Sequence, residues 1–356
     1  MKYLLKKYWH LIIFACIINI PLLVLGITRT NYSLTLKGDT TLFNSVVSIE
    51  TENEEKGSFS SIYVISMNHS TLLQNIFADF DPIVDKNELS SSTTHISDLE
   101  NYNAGKIQFY SSIENALVVA YKKAKEYDSN ISLNYSFNGF MITYYTKNSQ
   151  FRINDRIIKI KTIDLEKSTE DNKVYKEVSY LDEAAFRTQI NSSRFVGDEY
   201  TIIRDNKEMT ITLTIDDNFY AYSRYDIDYN NSNPTIKFKD NLTGGPSGGL
   251  LQTLSILNKL IPIDLTHGLK IAGTGTIAYN GMVGAIGGIT QKVPTAFDDE
   301  IDIFFCPKDN FEDAIKAYNT IPNRNKMKMV CVETLDDAIN YLMEGYKNDF
   351  KIWRNF

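Results

Sequence analysis

From Leu11 to Ile27 the chain runs through seventeen residues without a charged side chain, L-I-I-F-A-C-I-I-N-I-P-L-L-V-L-G-I. Such a run must bury its apolar side chains and satisfy its own backbone, so it predicts a helix at the short end of the length that crosses a bilayer. Lys2, Lys6 and Lys7 precede it, Tyr8 and Trp9 stand where an interfacial belt would, and only Arg29 and Lys37 follow closely. That asymmetry predicts a cytoplasmic tail over 1–10, a single transmembrane anchor over 11–27 and the bulk of the chain outside the cytoplasm. A cleaved signal peptide and a buried core helix are the other two readings. The lack of an A-x-A site after Leu25 favours a retained anchor over a signal peptide.

A length of 356 residues predicts two or three domains, and 43% apolar with 23% charged residues is a composition that buries a core. The net charge of −7 and the absence of a Lys/Arg block exclude an extended nucleic-acid surface. Cys16, Cys306 and Cys331 are too far apart for a zinc-finger spacing and too few for a disulfide scaffold, so no metal and no cofactor is expected. Free buried thiols at Cys306 and Cys331 are favoured over a pair. Residues 31–130 mix short apolar alternations, such as S-I-Y-V-I-S at 61–66, with a polar run from Asp85 to Asn103 that reads as a loop or lid, and an amphipathic helix from Ser112 to Tyr127. Over 131–215 come a strand at Phe140–Tyr145, F-R-I-N-D-R-I-I-K-I, a helix from Asp182 and a hairpin around Asp205-Asn206. That order resembles a PDZ domain, which receives an extended peptide along a sheet edge. Its usual carboxylate loop is missing, with Asn138-Gly139-Phe140 a partial substitute, and Glu166–Lys176 reads as an insertion. An α+β spacer that binds nothing is the alternative.

From Asn241 the sequence reads N-L-T-G-G-P-S-G-G-L-L-Q-T-L-S-I-L-N-K-L. The glycines permit a sharp turn, Pro246 pre-sets φ for a helix start, and Leu250, Leu251, Leu254, Leu257 and Ile261 recur at helical spacing. Ser247 thus falls at a helix N-terminus, where unpaired N–H groups can hold the oxyanion formed when a serine attacks a carbonyl. Most serines in such positions are only N-caps, so a nucleophile needs a base as well. Of the four histidines only His267, in D-L-T-H-G, could complete a Ser-His-Asp triad. A lysine made neutral by burial is the other candidate. Asn280-Gly281 predicts a hairpin, and Lys292 follows it in the first turns of a short helix beside apolar Ile289, Val293 and Ala296. By spacing alone that lysine would reach for solvent. Gly273-x-Gly275-x-x-Ala278 precedes a hairpin, not a helix, which excludes a dinucleotide site.

Three pieces, G-G-P-S-G-G around Ser247, G-T-G-T-I from Gly273 and G-A-I-G-G-I-T-Q-K ending at Lys292, have the order and spacing of the Lon-type serine peptidases. The stretches 302–310 and 330–339 look like that family's closing strands and helix, and the resemblance covers about 233–342. With the anchor and the PDZ-like unit, the chain resembles the membrane-anchored PDZ-containing Lon-like proteases of Gram-positive bacteria. The resemblance implies Ser247 as nucleophile, Lys292 as general base and Thr274 as the group that orients the lysine. Gly245, Pro246 and Gly248 would shape the turn, with backbone N–H groups around Ser247 and Gly248 as the oxyanion site. The family usually has Ala where this chain has Gly248, which predicts a looser helix start. D-D-E-I at 298–301 likewise replaces a small-residue turn.

The expected fold is therefore α+β and multidomain: anchor, α+β segment over 31–130, PDZ-like domain over 131–215 and an α/β Lon-type proteolytic domain over 216–345. No G-x-x-x-x-G-K-[ST] occurs in the sequence, so the expected activity is ATP-independent serine endopeptidase cleavage of protein or peptide substrates, presented as unfolded segments or termini. Association into a homo-oligomer is left open. The rival readings are a catalytically silent scaffold that binds extended peptides, and a sortase-like transpeptidase, which would need an amine acceptor. The presence of both Ser247 and Lys292 favours the enzyme.

Overall fold

The apolar N-terminal run forms α1 (Lys2–Ile27), which breaks at Tyr8 and continues through Pro21. Its Lys7–Ile27 stretch is long and apolar enough to cross a membrane, and none of it is buried against the rest of the chain. The structure, a computed structural model, describes residues 2–43, 46–51, 53–89, 95–169, 172–239, 244–322 and 327–345.

After α1 come β1 (Tyr32–Leu42), β2 (Val47–Ile49), β3 (Ser58–Met67), α2 (Leu72–Ala78), β4 (Asp85–Glu88) and α3 (Asp98–Ala124). Both α2 and α3 start at capping boxes, Thr71 with Gln74 and Ser97 with Glu100, which satisfy N–H groups that the first turn leaves unpaired. The second box starts α3 well before Ser112. The polar run expected as a loop over Asp85–Asn103 is thus divided: its start pairs as β4, its end forms the first turn of α3, and 90–94 lie outside the described residues. Polarity marked exposure there, and an exposed helical turn is as polar as a loop.

The chain continues with β5 (Tyr135–Tyr145), β6 (Arg156–Ile163), β7 (Tyr175–Ser179), α4 (Glu183–Ile190), β8 (Glu199–Arg204), β9 (Lys207–Thr212), β10 (Phe219–Ile227) and β11 (Ile236–Phe238). Asp182 caps α4 by accepting from the Ala185 N–H. Asp205 and Asn206, with φ of 50° and 60°, make the tight turn between β8 and β9. The last part comprises α5 (Gly249–Leu260), β12 (Lys270–Gly273), β13 (Thr276–Ile277), β14 (Val283–Gly284), α6 (Ile289–Asp298), β15 (Ile303–Pro307), α7 (Lys308–Thr320), β16 (Lys328–Val332) and α8 (Leu335–Asn340).

One six-stranded sheet has the order β16-β15-β12-β3-β1-β4, a second the order β10-β5-β6-β8-β9 with β7 also on β6, and β2 with β11 and β13 with β14 form two-stranded sheets. The first is mixed: β12 runs parallel to β3 and β15, while β1 is antiparallel to β3 and β4. It therefore draws half its strands from the 31–130 segment and half from the region beyond 216, so the expected boundary between those two parts does not follow the sheets. Likewise β10, which lies beyond 215, closes the edge of the second sheet. Strand alternation explains the shared sheet. Ile303 and Phe305 of β15 face a core with α3, α5 and α8, while Phe304 and Cys306 face α6 and α7. Phe59 and Ile62 of β3 divide between the same two cores. A strand buried on both faces needs neighbours on both edges, and β3 supplies one to β12. Each such side chain contributes roughly 1.5–3 kcal/mol on burial. The second sheet has its own core, including Phe140, Ile157, Phe186 and Tyr200, to which α3 adds Val118. With Leu117 and Ala120 in the first core, α3 serves both.

Two expectations change. Asn138-Gly139-Phe140 lies inside β5, with Phe140 in register with Ile157 on one side and Ser223 on the other. A Cβ on Gly139 would fall 2.3 Å from the Ile157 carbonyl oxygen. A segment paired on both sides cannot offer a carboxylate-binding loop. Cys306 and Cys331 sit opposite each other on β15 and β16 as free thiols, but Cys306 is buried and Cys331 exposed.

Candidate active site

The turn that carries Ser247 is fastened to α3. Gly245, at φ 85°, donates its N–H to the Gly105 carbonyl at 2.8 Å. Ser112 Oγ lies 3.2 Å from the Pro246 carbonyl oxygen and 3.0 Å from Gln252 Oε1, its single O–H shared between the two acceptors. Gly248 occupies the N-cap of α5 without a side-chain cap, so Ser247 is not spent as one. The Ser247 carbonyl accepts from the Gly275 N–H at 2.8 Å and from Thr274 Oγ1 at 3.0 Å. Gly275, at φ 145°, takes a conformation open to glycine, and a Cβ there would meet Val283 at 2.8 Å.

Lys292 arrives from the opposite side. Gly288, at φ 72°, turns the chain into α6, and the Lys292 side chain, within a residue only 1% exposed, points inward. Its Nζ lies 2.8 Å from Ser247 Oγ and 2.9 Å from Thr274 Oγ1. The expectation of a lysine reaching for solvent fails because α6 packs against β1 and β3, and Val293 and Ala296 anchor it in the core that Ile62, Ala272 and Phe304 share. No carboxylate pairs with Lys292 among the described residues. Burial pulls its pKa down to about 7, with a small opposing effect from Cys306. Burial also pushes the Cys306 thiol up to about 12, which keeps that neighbour neutral. Near neutral pH the amine therefore has a free lone pair much of the time, and Ser247 Oγ–H can donate to it. Thr274, fully buried, accepts from Nζ while donating to the Ser247 carbonyl, which fixes the amine between two hydroxyls.

The structure thus brings together Ser247, Lys292 and Thr274, and places Gly245, Pro246 and Gly248 in the supporting turn. Among the described residues the N–H groups of Ser247 and Gly248 donate no hydrogen bond. A cavity of about 30 Å³, room for a water molecule, lies beside Ser247 between Thr41, Phe43, Ser61, Ile62 and Phe109. His267 is elsewhere engaged, its Nε2 3.2 Å from the Leu342 carbonyl oxygen. No group of His, Cys, Asp and Glu among the described residues could hold a metal ion.

Sequence reasoning missed Ser112, Gln252, Gly105 and Ser61. Ser112 stands 134 positions from Pro246, a separation that leaves no local pattern. Gly248 also reads differently in three dimensions: a Cβ there would come 3.1 Å from both Ser61 Cβ and Gln252 Nε2. It provides clearance for β3. At an N-cap glycine is favoured over alanine, and the added Cβ crowds Ser61 and Gln252, so Gly248→Ala should cost on the order of 1 kcal/mol. Thermal melts of the two proteins should agree within a few degrees. A drop of ten degrees or more would mean that Ser61 cannot give way.

Residues 209–345 match the family model of the Lon protease (S16) C-terminal proteolytic domain. The chain is 33% identical over 106 residues to a Lon protease of Clostridium acetobutylicum, a match covering 30% of this chain and 13% of that protein. It is 30% identical over 139 residues to a Lon protease of Metamycoplasma arthritidis, covering 38% and 16% of the two chains. An archaeal Lon protease of Archaeoglobus fulgidus is 23% identical over 133 residues, covering 36% and 20%. The chain spans a fifth or less of the length of these relatives. Its C-terminal part carries a Lon protease (S16) C-terminal proteolytic domain, a serine-peptidase domain.

Proposed function

We propose that the protein is an ATP-independent serine endopeptidase that works through Ser247 and Lys292, and the observation that carries this reading is the 2.8 Å approach of a buried lysine, with no carboxylate partner among the described residues, to the serine hydroxyl. Neutral Lys292 Nζ takes the Ser247 Oγ proton as Oγ bonds to the peptide carbonyl carbon. The resulting oxyanion is held by the Ser247 and Gly248 N–H groups. The C–N bond breaks, the leaving amine takes the proton from Nζ, and an acyl-enzyme remains. Water then gives a proton to Nζ and adds to the ester, and Ser247 recovers that proton as the acid departs. Thr274 is a positioning residue: it keeps Nζ aimed at Oγ in every step.

In the same reading α1 is a single-pass anchor with the lysine-rich end inside, which puts the catalytic part outside the cytoplasm. Substrates there are unfolded segments or termini of proteins, and the second sheet with α4 captures them as an added strand in the manner of a PDZ domain. The absence of a P-loop from this sequence supports turnover without ATP.

The test is digestion of an unfolded protein by the reconstituted full chain without nucleotide. Wild type should cleave, and folded Ser247→Ala should not. Binding of the unfolded protein without cleavage by either would support the scaffold reading instead.

A further inference from the structure

Between the anchor and the catalytic part, α2 presents an apolar face that nothing in the described chain covers. Leu72, Ile76, Phe77 and Phe80 are all exposed, Phe77 by 66% and Phe80 by 82%. Phenylalanines this open are costly in water, and here they lie in a fixed relation to α1. The Leu72 N–H donates to the Thr28 carbonyl at 3.0 Å, Thr30 N–H donates to the Ser70 carbonyl at 2.9 Å, and Arg29 Nη1 donates to the His69 carbonyl at 3.1 Å. Thr71 and Arg29 also form a β-bridge, and α2 packs against α1.

The 21 residues of Lys7–Ile27 rise about 30 Å as a helix, the thickness of a hydrocarbon core. Thr28 then lies at the boundary between hydrocarbon and headgroups, and α2 begins one hydrogen bond away. The charges beside the apolar face are already engaged: Asp79 pairs with Lys86 at 2.6 Å, and Asp81 Oδ1 accepts from the Ile83 N–H at 2.9 Å.

We propose that α2 and Phe80 form a second membrane contact, lying in the interface of the lipid surface that α1 crosses, with Ile76, Phe77 and Phe80 inserted at headgroup level. The occupant is lipid, because the patch is contiguous with the anchor's end and held there by backbone bonds. This rests on the reading of α1 as an anchor. A rigid second contact fixes the tilt of the folded part on the membrane. It sets close to the bilayer a groove of about 690 Å³ lined by Arg29, Ser66, Asn68, Tyr102 and Gly244, three residues before Ser247. The substrate class that such a groove favours is a chain segment just emerging from the membrane, the juxtamembrane part of another anchored protein.

The experiment is tryptophan quenching in phosphatidylcholine vesicles whose acyl chains carry bromine, with the full chain reconstituted. One protein keeps Trp9 as sole reporter through Trp353→Phe. Two others carry Phe77→Trp or Phe80→Trp in a Trp9→Phe, Trp353→Phe background. The expected result is blue-shifted emission and about twofold quenching of each introduced tryptophan, strongest with bromine near the headgroup end, as for a ring at the interface. If Trp9 is quenched while both α2 reporters emit as in water, the anchor stands and the second contact is overturned. Blue-shifted but unquenched α2 reporters overturn it too, since protein and not lipid then covers the face. If Trp9 itself is unquenched, the anchor reading falls and the inference falls with it.

Discussion

Lys292→Met will keep the fold, lose hydrolysis by about three orders of magnitude, the range of a missing general base, and melt several degrees above wild type at pH 6. The stability gain follows from the direction of the pKa shift. In the unfolded chain the lysine keeps its proton up to about 10.5, while in the folded protein burial releases it near 7. Between those values the unfolded state binds more protons, so wild type gains stability as pH rises through that window. Below 7 both states are charged and the full cost of burying the ammonium remains, on the order of a few kcal/mol. The melting difference between Lys292→Met and wild type should therefore be largest below pH 7 and close toward pH 10. Wild-type kcat/KM should rise about tenfold per pH unit below 7 and level off above it, as neutral Lys292 becomes the main form. Lys292→Arg should be silent at every pH, because a guanidinium does not deprotonate. An activity profile flat from pH 5 to 9, or a melting difference independent of pH, would remove Lys292 from the role of base.

Arg224→Ala is expected to destabilise the protein by on the order of 2 kcal/mol at pH 8 and much less at pH 5, a value discounted because the Arg224 side chain is 39% exposed. Its partner Glu114 lies on α3 with a side chain only 5% exposed, and also accepts the Tyr225 N–H at 2.8 Å. Burial pushes the Glu114 carboxyl up to about 7, with Arg224 and that N–H pulling the other way. A folded pKa above the unfolded value gives a contribution fully present below about 4.5 and lost as pH rises through 7. Above 7 the buried carboxylate is charged and depends on Arg224. At pH 5 it is protonated, and the arginine matters little. Ser112, on the same helix, holds the Pro246 carbonyl, so weakened docking of α3 on β10 should lower hydrolysis along with stability at pH 8. Urea unfolding and peptide hydrolysis at both pH values would check this. In Arg224→Ala, the further change Glu114→Gln should remove the pH dependence, and its persistence would assign the effect to another group.

The sequence alone determined the features that depend on neighbours a few residues apart. The uncharged run of α1, the glycine turn and leucine spacing of α5, the Asn280-Gly281 hairpin and the Asp205-Asn206 turn are all local signals, each set by backbone sterics or by one apolar face. The motifs around Ser247, Thr274 and Lys292 were legible as a set because their order matched a known pattern, although each alone read as an N-cap, a strand end or a solvent-seeking lysine. Only the tertiary structure decided that Lys292 turns inward. That depends on α6 packing against β1 and β3, and on burial lowering the cost of leaving the amine neutral. Only the tertiary structure joined β1, β3 and β4 to β12, β15 and β16, since pairing between strands some two hundred residues apart has no local pattern. The same holds for Ser112 and Gly105 of α3, which brace the Ser247 turn, and for α2, whose exposed apolar face is tied to the end of α1 by the bond from Leu72 to Thr28. Periodicity shows which side of an element is apolar. What covers that side depends on contacts that chain folding brings together from distant parts of the sequence.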